Sequence, residues 1–286
     1  MNWRIGIDVG GTKCLGVVVD ENAQIIHEIR VPTPSHEALV ETLVDVVHDL
    51  GDAEWVGVGL PGLITRDGVI RSSPNLPGAH ELAVRAPLSA VLAREVRVAN
   101  DATCAALAEW RSGAATGLDH VCMVTLGTGI GGGLVINGQL VLGAQGFAGE
   151  VGHMVVSPGG EVCGCGMRGC WERYASGQAL ARIAGVATGE EVFVRLAAGD
   201  EAAGAALAQW ATWVGRGLAN LANVIDPEVF VIGGGVADHA SLYIELVEAA
   251  MVESLYASRQ RRLPSVRVAS LGSRAGAIGA ALLARD

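Results

Sequence analysis

His153, Cys163, Cys165 and Cys170 stand in one run, HMVVSPGGEVCGCGMRGCWE, with the spacing H-x9-C-x-C-x4-C. Three thiols and an imidazole, with glycine between the close-set cysteines, form the ligand set of a tetrahedral Zn²⁺ whose four positions are all filled by protein. An ion enclosed in this way folds a loop and does not activate water. The competing reading is a redox pair, or cysteines scattered through a core. Cys163 and Cys165 are too close for a relaxed disulfide between them, and redox chemistry leaves the histidine unexplained. Glu150 and Glu172 bracket the run, so a loop folded on metal would hold two carboxylates in place.

Glycine marks three further places. Asp8-Val9-Gly10-Gly11-Thr12-Lys13 ends a strand-like run with a carboxylate, two bare backbone positions, a hydroxyl and a cation. That set suits the terminal phosphates of a nucleotide and Mg²⁺. It lacks the Gly-x4-Gly-Lys of a Walker A loop. The same residues also suit a type I′ hairpin with Gly-Gly at its tip, and spacing does not choose between the two. In Leu126-Gly127-Thr128-Gly129-Ile130-Gly131-Gly132-Gly133, so much glycine costs backbone entropy. Close approach of a ligand explains it better than a bare turn. No helix opens behind it and Asn137-Gly138 soon follows, which excludes a Rossmann turn. Gly233-Gly234-Gly235 admits a flat adenine or simply turns a strand into a helix. Asn100-Asp101 is either a helix N-cap or a general base at the carboxyl end of a strand, and the two roles are compatible.

These residues need a frame of alternating strands and helices. Trp3–Val9, Cys14–Asp20 and Gln24–Arg30 read as a strand meander, and His36–Leu50 as a helix with Leu39, Leu43, Val46, Val47 and Leu50 on one face. Glu54–Leu60 and Glu95–Ala99 read as strands, Leu82–Arg94 as a helix interrupted at Pro87, and Ala102–Ser112 as a helix. The pattern then restarts with His120–Leu126, Gly133–Ile136 and Gln139–Leu142. Helices follow over Ser176–Ala184, Glu191–Leu196 and Ala202–Val224. A strand over Glu228–Ile232, a helix over Ala240–Ala257, a strand over Ser265–Leu271 and a helix over Arg274–Ala284 complete the chain. Strands alternating with helices mean an α/β protein. The two meanders are the nearest thing to an internal repeat, and a boundary is expected near Gly113–Leu118.

With 286 residues, half of them hydrophobic, the chain can bury a large core. A formal charge of −10 argues against a nucleic-acid partner. Val121–Gly149 carries no charged side chain, yet its glycines and Asn137-Gly138 fit buried strands and tight turns better than a membrane span. Neither a secretory n-region nor a cleavage site opens the sequence. Cysteines concentrated in one metal-like cluster fit a reducing compartment, so the cytoplasm is expected.

Taken together, these motifs resemble the ROK family of bacterial sugar kinases and sugar-responsive repressors, within the actin-like ATPase superfamily. The resemblance runs from DVGGTK at 8–13 through LPG at 60–62, SPNLPG at 73–78, ANDA at 99–102, LGTGIGGG at 126–133, AGEVGH at 148–153 and CGCGMRGCWE at 163–172 to IGGG at 232–235. It implies a duplicated, ribonuclease-H-like fold of two lobes around a cleft. The first lobe would span 1–115, with a last helix at about 274–286 packed back on it. The second would span 116–273 and carry a zinc loop at 153–170. The resemblance further implies an ATP-dependent hexose kinase, most like the glucokinases, with ATP, Mg²⁺ and structural Zn²⁺, and a homodimer. Asp101 matches the family's catalytic base. Gly62, Asn75, Asn100, Asp101, Glu150, His153 and Glu172 match its sugar ligands and pocket. Asp8, Gly10, Gly11, Thr12 and Lys13, then Gly127, Thr128, Gly129 and Gly131, then Gly234 and Gly235, match its nucleotide loops. His153 would offer one ring nitrogen to zinc and the other toward a sugar hydroxyl. After SPNLPG the chain reads AHEL, where glucokinases commonly carry a tryptophan. That difference leaves the sugar open, with N-acetylmannosamine, N-acetylglucosamine and other hexoses as alternatives. The family's repressors carry a DNA-binding segment before the core. Asp8 stands too near the start for one, so a kinase is expected.

Overall fold

A computed structural model describes residues 3–283. The first meander is β1 (Arg4–Val9), β2 (Lys13–Val19) and β3 (Ile25–Pro32), followed by α1 (Leu39–Leu50) and β4 (Trp55–Leu60). A small antiparallel sheet comes next, of β5 (Leu63–Ile64), β6 (Val69–Ser72) and β7 (His80–Ala83). Then come α2 (Arg85–Leu92), β8 (Val96–Asn100) and α3 (Asp101–Ser112). The second meander is β9 (Val121–Leu126), β10 (Ile130–Ile136) and β11 (Gln139–Leu140). The remainder is α4 (Glu172–Ala175), α5 (Gly177–Ala184), α6 (Gly189–Ala197), α7 (Glu201–Ile225), β12 (Val229–Gly233), α8 (Ile244–Ser254), β13 (Ser265–Val268) and α9 (Ala275–Leu282). The α/β class expected from the sequence is the observed one.

The two large sheets repeat one plan. Their strand orders are β3-β2-β1-β4-β8 and β11-β10-β9-β12-β13, so each meander is followed by two parallel strands added beside its first strand. The chain groups into two compact units. One holds residues 1–117, 133–149 and 270–286, and the other holds 118–132 and 150–269.

In the first unit β1 and β4 are buried nearly throughout, as parallel strands covered on both faces must be. One cover is α9, in which every residue is buried. It lies close because glycine removes the obstacles. A Cβ on Gly6 would overlap the Ala277 carbonyl, and one on Gly57 the Ala280 carbonyl. On its other side, a Cβ on Gly279 would overlap the carbonyl of Cys104 in α3. The expected helix reached Ala284, and residues 284–286 lie outside the described residues.

In the second unit the 25-residue α7 buries an apolar stripe, with Asp200 capping its start through the N–H groups of Ala202 and Ala203. Trp171, fully buried, packs where Gly217 leaves room on α7 and donates its indole N–H to the Trp213 carbonyl at 2.8 Å. This side chain anchors the cysteine-rich loop.

Three expectations need correction. Leu82 and Ala83 belong to β7, and only Arg85–Leu92 is helical. Pro87 sits in the first turn of α2, where its missing N–H has no intrahelical acceptor to lose. The helix expected over Ala240–Ala257 is a 3₁₀ stretch, Gly235–Leu242, followed by α8, with the break at Tyr243 (φ −138°). The strand expected over Ser265–Leu271 ends at Val268. The sheet β5-β6-β7 was not expected at all, since its strands are two to four residues long and half polar.

Candidate active site

In the first unit, chemistry collects at the carboxyl edge of β1, β4 and β8. Parallel register pairs Asp8 with Gly59 and Leu60 with Asn100, so the strand ends come out side by side. Ligands of open α/β sheets bind at such an edge. Asn100 supplies the cap. Its side-chain oxygen accepts from the N–H groups of Ala102 and Thr103 at 2.9 and 3.1 Å, and its amide donates to the Gly62 carbonyl at 3.0 Å. Asp101, the first residue of the helix, shares the Ala102 N–H with this cap. One of its oxygens accepts from the Ala102 N–H at 2.8 Å.

Asp8 and Asp101 both lie beside Gly59. Burial, and then the nearby Asp101, push the Asp8 carboxyl up to about 7. Burial likewise pushes Asp101 up to about 6, against the opposing pull of backbone N–H groups at Ala102 and at Asp101 itself. Two carboxylates held so close share their titration.

The loop from Gly10 to Lys13 is a hairpin tip, with Gly10 N–H donating to the Lys13 carbonyl at 3.0 Å. Neither Gly10 nor Gly11 has a positive φ, so the type I′ turn is ruled out. Gly11 meets no other atom that would crowd a Cβ. Its bareness thus has no cause inside the protein, and close approach from outside is the explanation that remains. Thr12 and Lys13 are exposed beside it, and Asn75 lies near Gly11. Gly62 has φ +103°, and a side chain there would strike Ser72 and Ser73.

Thr33 escaped the sequence reading. Its hydroxyl donates to the Gly10 carbonyl at 2.6 Å and its N–H to the Thr12 carbonyl at 3.2 Å, so β3 braces the loop from behind. A single threonine just past a strand carries no signal of such a role.

In the second unit, Gly127, Thr128 and Gly129 form the turn between β9 and β10, and Gly131 lies at the start of β10. Gly127 N–H donates to the Gly129 carbonyl, and the Gly127 carbonyl accepts from Gly177 N–H at 2.7 Å, tying the turn to the start of α5. Thr125 accepts from the Gly131 N–H at 3.1 Å. Gly127, like Gly11, is uncrowded and has no positive φ. Gly234 does need its glycine, at φ +83° against the Leu126 backbone, and Gly235 is open. The two glycine clusters are therefore neighbours. Gly177 was not anticipated.

His153, Cys163, Cys165 and Cys170 are brought together, with one ligand atom from each lying within 4.8 Å of all the others. Cys165 and Cys170 sulfurs are 3.6 Å apart, and Cys163 sulfur is 3.8 Å from His153 Nδ1. Zn–S bonds of ~2.3 Å in a tetrahedron put sulfurs about 3.8 Å apart, so the cage fits the ion. The loop supports the cage with paired backbone at Val155–Cys170 and Val162–Arg168. Both expected carboxylates stand beside the histidine. Glu150 lies 4.0 Å from Nε2 and Glu172 3.9 Å from Nδ1. Glu172 also touches the Cys163 sulfur at 2.9 Å and accepts from the Ile130 N–H at 3.5 Å. A carboxylate thus joins the cysteine loop to the glycine turn.

The ROK family model matches residues 4–286. A glucokinase from Streptomyces coelicolor is 36% identical over 313 aligned positions, covering 100% of this chain and 98% of the relative. An N-acetyl-D-glucosamine kinase from Yersinia pseudotuberculosis is 34% identical, covering 97% of each. Among solved structures, a ROK family glucokinase from Streptomyces griseus in complex with glucose and AMPPNP is 35% identical, with a TM-score of 0.89 over 99% of both chains. The repeated five-stranded plan is accordingly the actin-like ATPase fold. With its full length matched in both sequence and structure, the chain belongs to the ROK family.

Proposed function

We propose that this protein is an ATP-dependent hexose kinase, and a glucokinase first, which transfers the terminal phosphoryl group of ATP to the 6-hydroxyl of glucose. The observation that carries the reading is Asp101. It stands at the carboxyl edge of a parallel sheet, just after the Asn100 cap, and near Asp8, whose strand runs into a loop in which Gly11 has no internal cause. The likeness to a glucokinase structure with glucose and AMPPNP supports both substrates.

In this reading Asn100, Asp101, Glu150, His153 and Glu172 bind sugar hydroxyls, with Gly62 and Asn75 lining the pocket. Carboxylates and amides suit hydroxyls, which both donate and accept. Gly10, Gly11, Thr12, Lys13, Gly127, Thr128, Gly129 and Gly131 make up the two loops that take the phosphates, with Gly11 and Gly127 leaving room for close approach, and Gly234 and Gly235 lie against the adenosine. Asp8 is the carboxylate positioned for Mg²⁺, a hard ion that prefers oxygen and neutralises charge on the transferred group. Asp101 aims the attacking oxygen and accepts its proton late, as bonding to phosphorus develops. His153, Cys163, Cys165 and Cys170 would hold a structural Zn²⁺, which supplies folding and no chemistry. The cytoplasm is the proposed location and a homodimer the proposed assembly. Among the described residues no helix is long and apolar enough to cross a membrane.

The test is ADP release over glucose, mannose, fructose and the N-acetyl hexosamines with ATP and Mg²⁺. Glucose should lead, and Asp101→Ala should lower kcat at least ~10³-fold while ATP still binds. Activity on none of these sugars would remove the kinase reading, and near-normal turnover by the variant would remove Asp101 from its role. The stretch after SPNLPG favours keeping N-acetylglucosamine in the panel, because Ala79-His80-Glu81-Leu82 offers no tryptophan.

A further inference from the structure

Glu109 lies two turns beyond Asp101 in α3 and is fully buried. Burying a carboxylate is costly unless its oxygens are satisfied. Three donors converge on it. Ala114 N–H at 2.8 Å and the Ser270 hydroxyl at 3.1 Å donate to one oxygen, and Leu271 N–H at 2.8 Å donates to the other. Gly113 is bare where a Cβ would strike this carboxylate. Ala114 belongs to the loop that leaves α3. Ser270 and Leu271 begin the segment that turns, through Gly272–Arg274, into α9.

What α9 does next makes this more than loop capping. Gly276 in its first turn comes so close to Asp8 that a Cβ would sit 2.6–2.8 Å from the carboxyl atoms. Gly279, one turn later, presses on the carbonyl of Cys104, three residues after Asp101. The seating of α9 therefore sets how tightly the backbone closes over Asp8, and how α3 presents Asp101.

We infer that Glu109 is a positioning residue for the Asp8–Asp101 pair, acting by clasping residues 270–271 to α3 and so fixing the seat of α9. Its effect on turnover rests on the kinase reading above, but its effect on the seating of α9 does not. Glu109→Gln keeps the size and replaces one acceptor with an NH₂ that must face an N–H. We expect kcat to fall at least 10-fold with KM for glucose and for ATP each within about threefold. Hydrogen exchange at Leu271 and through residues 272–276 should quicken at least 10-fold, while Asp101→Ala leaves that exchange unchanged. Ser270→Ala removes one donor and should move both readouts the same way by two- to fivefold.

A Glu109→Gln protein that melts earlier but, while folded, keeps kcat within twofold would overturn the inference and leave a purely structural clasp. If that variant does not fold, Ser270→Ala decides, and unchanged kcat together with unchanged exchange over 271–276 counts against the inference. Should the wild-type chain phosphorylate no sugar, the kinase reading fails, and the exchange comparison still decides whether Glu109 seats α9.

Discussion

Asp8 and Asp101 have the same side chain, with different surroundings and different consequences. Asp101 takes a backbone N–H on one oxygen and is pushed up to about 6, while Asp8, buried and close to Asp101, is pushed up to about 7. A base must be ionised to accept a proton, so kcat should fall on the acid side with an apparent pKa near 6 that belongs to the pair. A pH–rate profile at saturating substrate checks this, and a flat profile down to pH 5 would contradict it. For stability the sign is the reverse of the usual carboxylate case. The folded Asp8 holds its proton above the ordinary 3.8, so its contribution to stability falls as pH rises from about 4 through about 7. Asp8→Asn removes the charge. It should stabilise the fold at pH 8 by on the order of 1–3 kcal/mol while abolishing turnover, and should change little at pH 4. Urea melts at the two pH values give the difference.

At the scale of elements, glycine serves two purposes that a mutation can separate. Gly279 is there for packing, because the Cys104 carbonyl occupies the place of its side chain. Gly279→Ala should cost about 1–3 kcal/mol by forcing α9 from α3. Gly127 meets nothing, so Gly127→Ala should change stability by less than ~0.5 kcal/mol and act on ATP instead, raising its KM. Thermal melts and ATP titrations on the two variants make the contrast. The reverse pattern would mean that the turn between β9 and β10 is structural and phosphate binds elsewhere.

At the scale of the whole molecule, the proposed sugar ligands come from distant parts of the chain. Glu150, His153 and Glu172 belong to the unit that also carries Cys163, Cys165 and Cys170. In the proposed reading the cysteine loop orders these three residues, with Glu172 3.9 Å from His153 Nδ1 and 2.9 Å from the Cys163 sulfur. Cys165→Ser should therefore remove the metal and raise KM for glucose at least ~10-fold, as lost ligand orientation does at other metal sites. Metal content by mass spectrometry and glucose binding by calorimetry read the two effects separately. Metal-free protein that binds glucose as tightly as the wild type would show that the loop does not organise the sugar ligands.

Short-range features of this protein were legible without coordinates. The histidine and three cysteines that could hold a metal span eighteen residues, His153 to Cys170, and their ligand chemistry follows from residue type and spacing alone. The glycine turns announce themselves because glycine is costly without a reason, and strands and helices follow from hydrophobic period. Neither kind of signal extends beyond its own segment. That Asn100 is the N-cap and Asp101 the first helical residue, that Thr33 braces the first glycine loop, and that Glu109 finds Ser270 at a separation of 161 residues were decided by packing. A partner that distant is chosen by which surfaces fit, and no local pattern of residues encodes it. The sequence by itself therefore determined which groups can do chemistry. The tertiary structure decided which of them face one another, because only burial at the shared edge of three parallel strands brings Asp8 to Asp101 and raises both carboxyls toward neutrality.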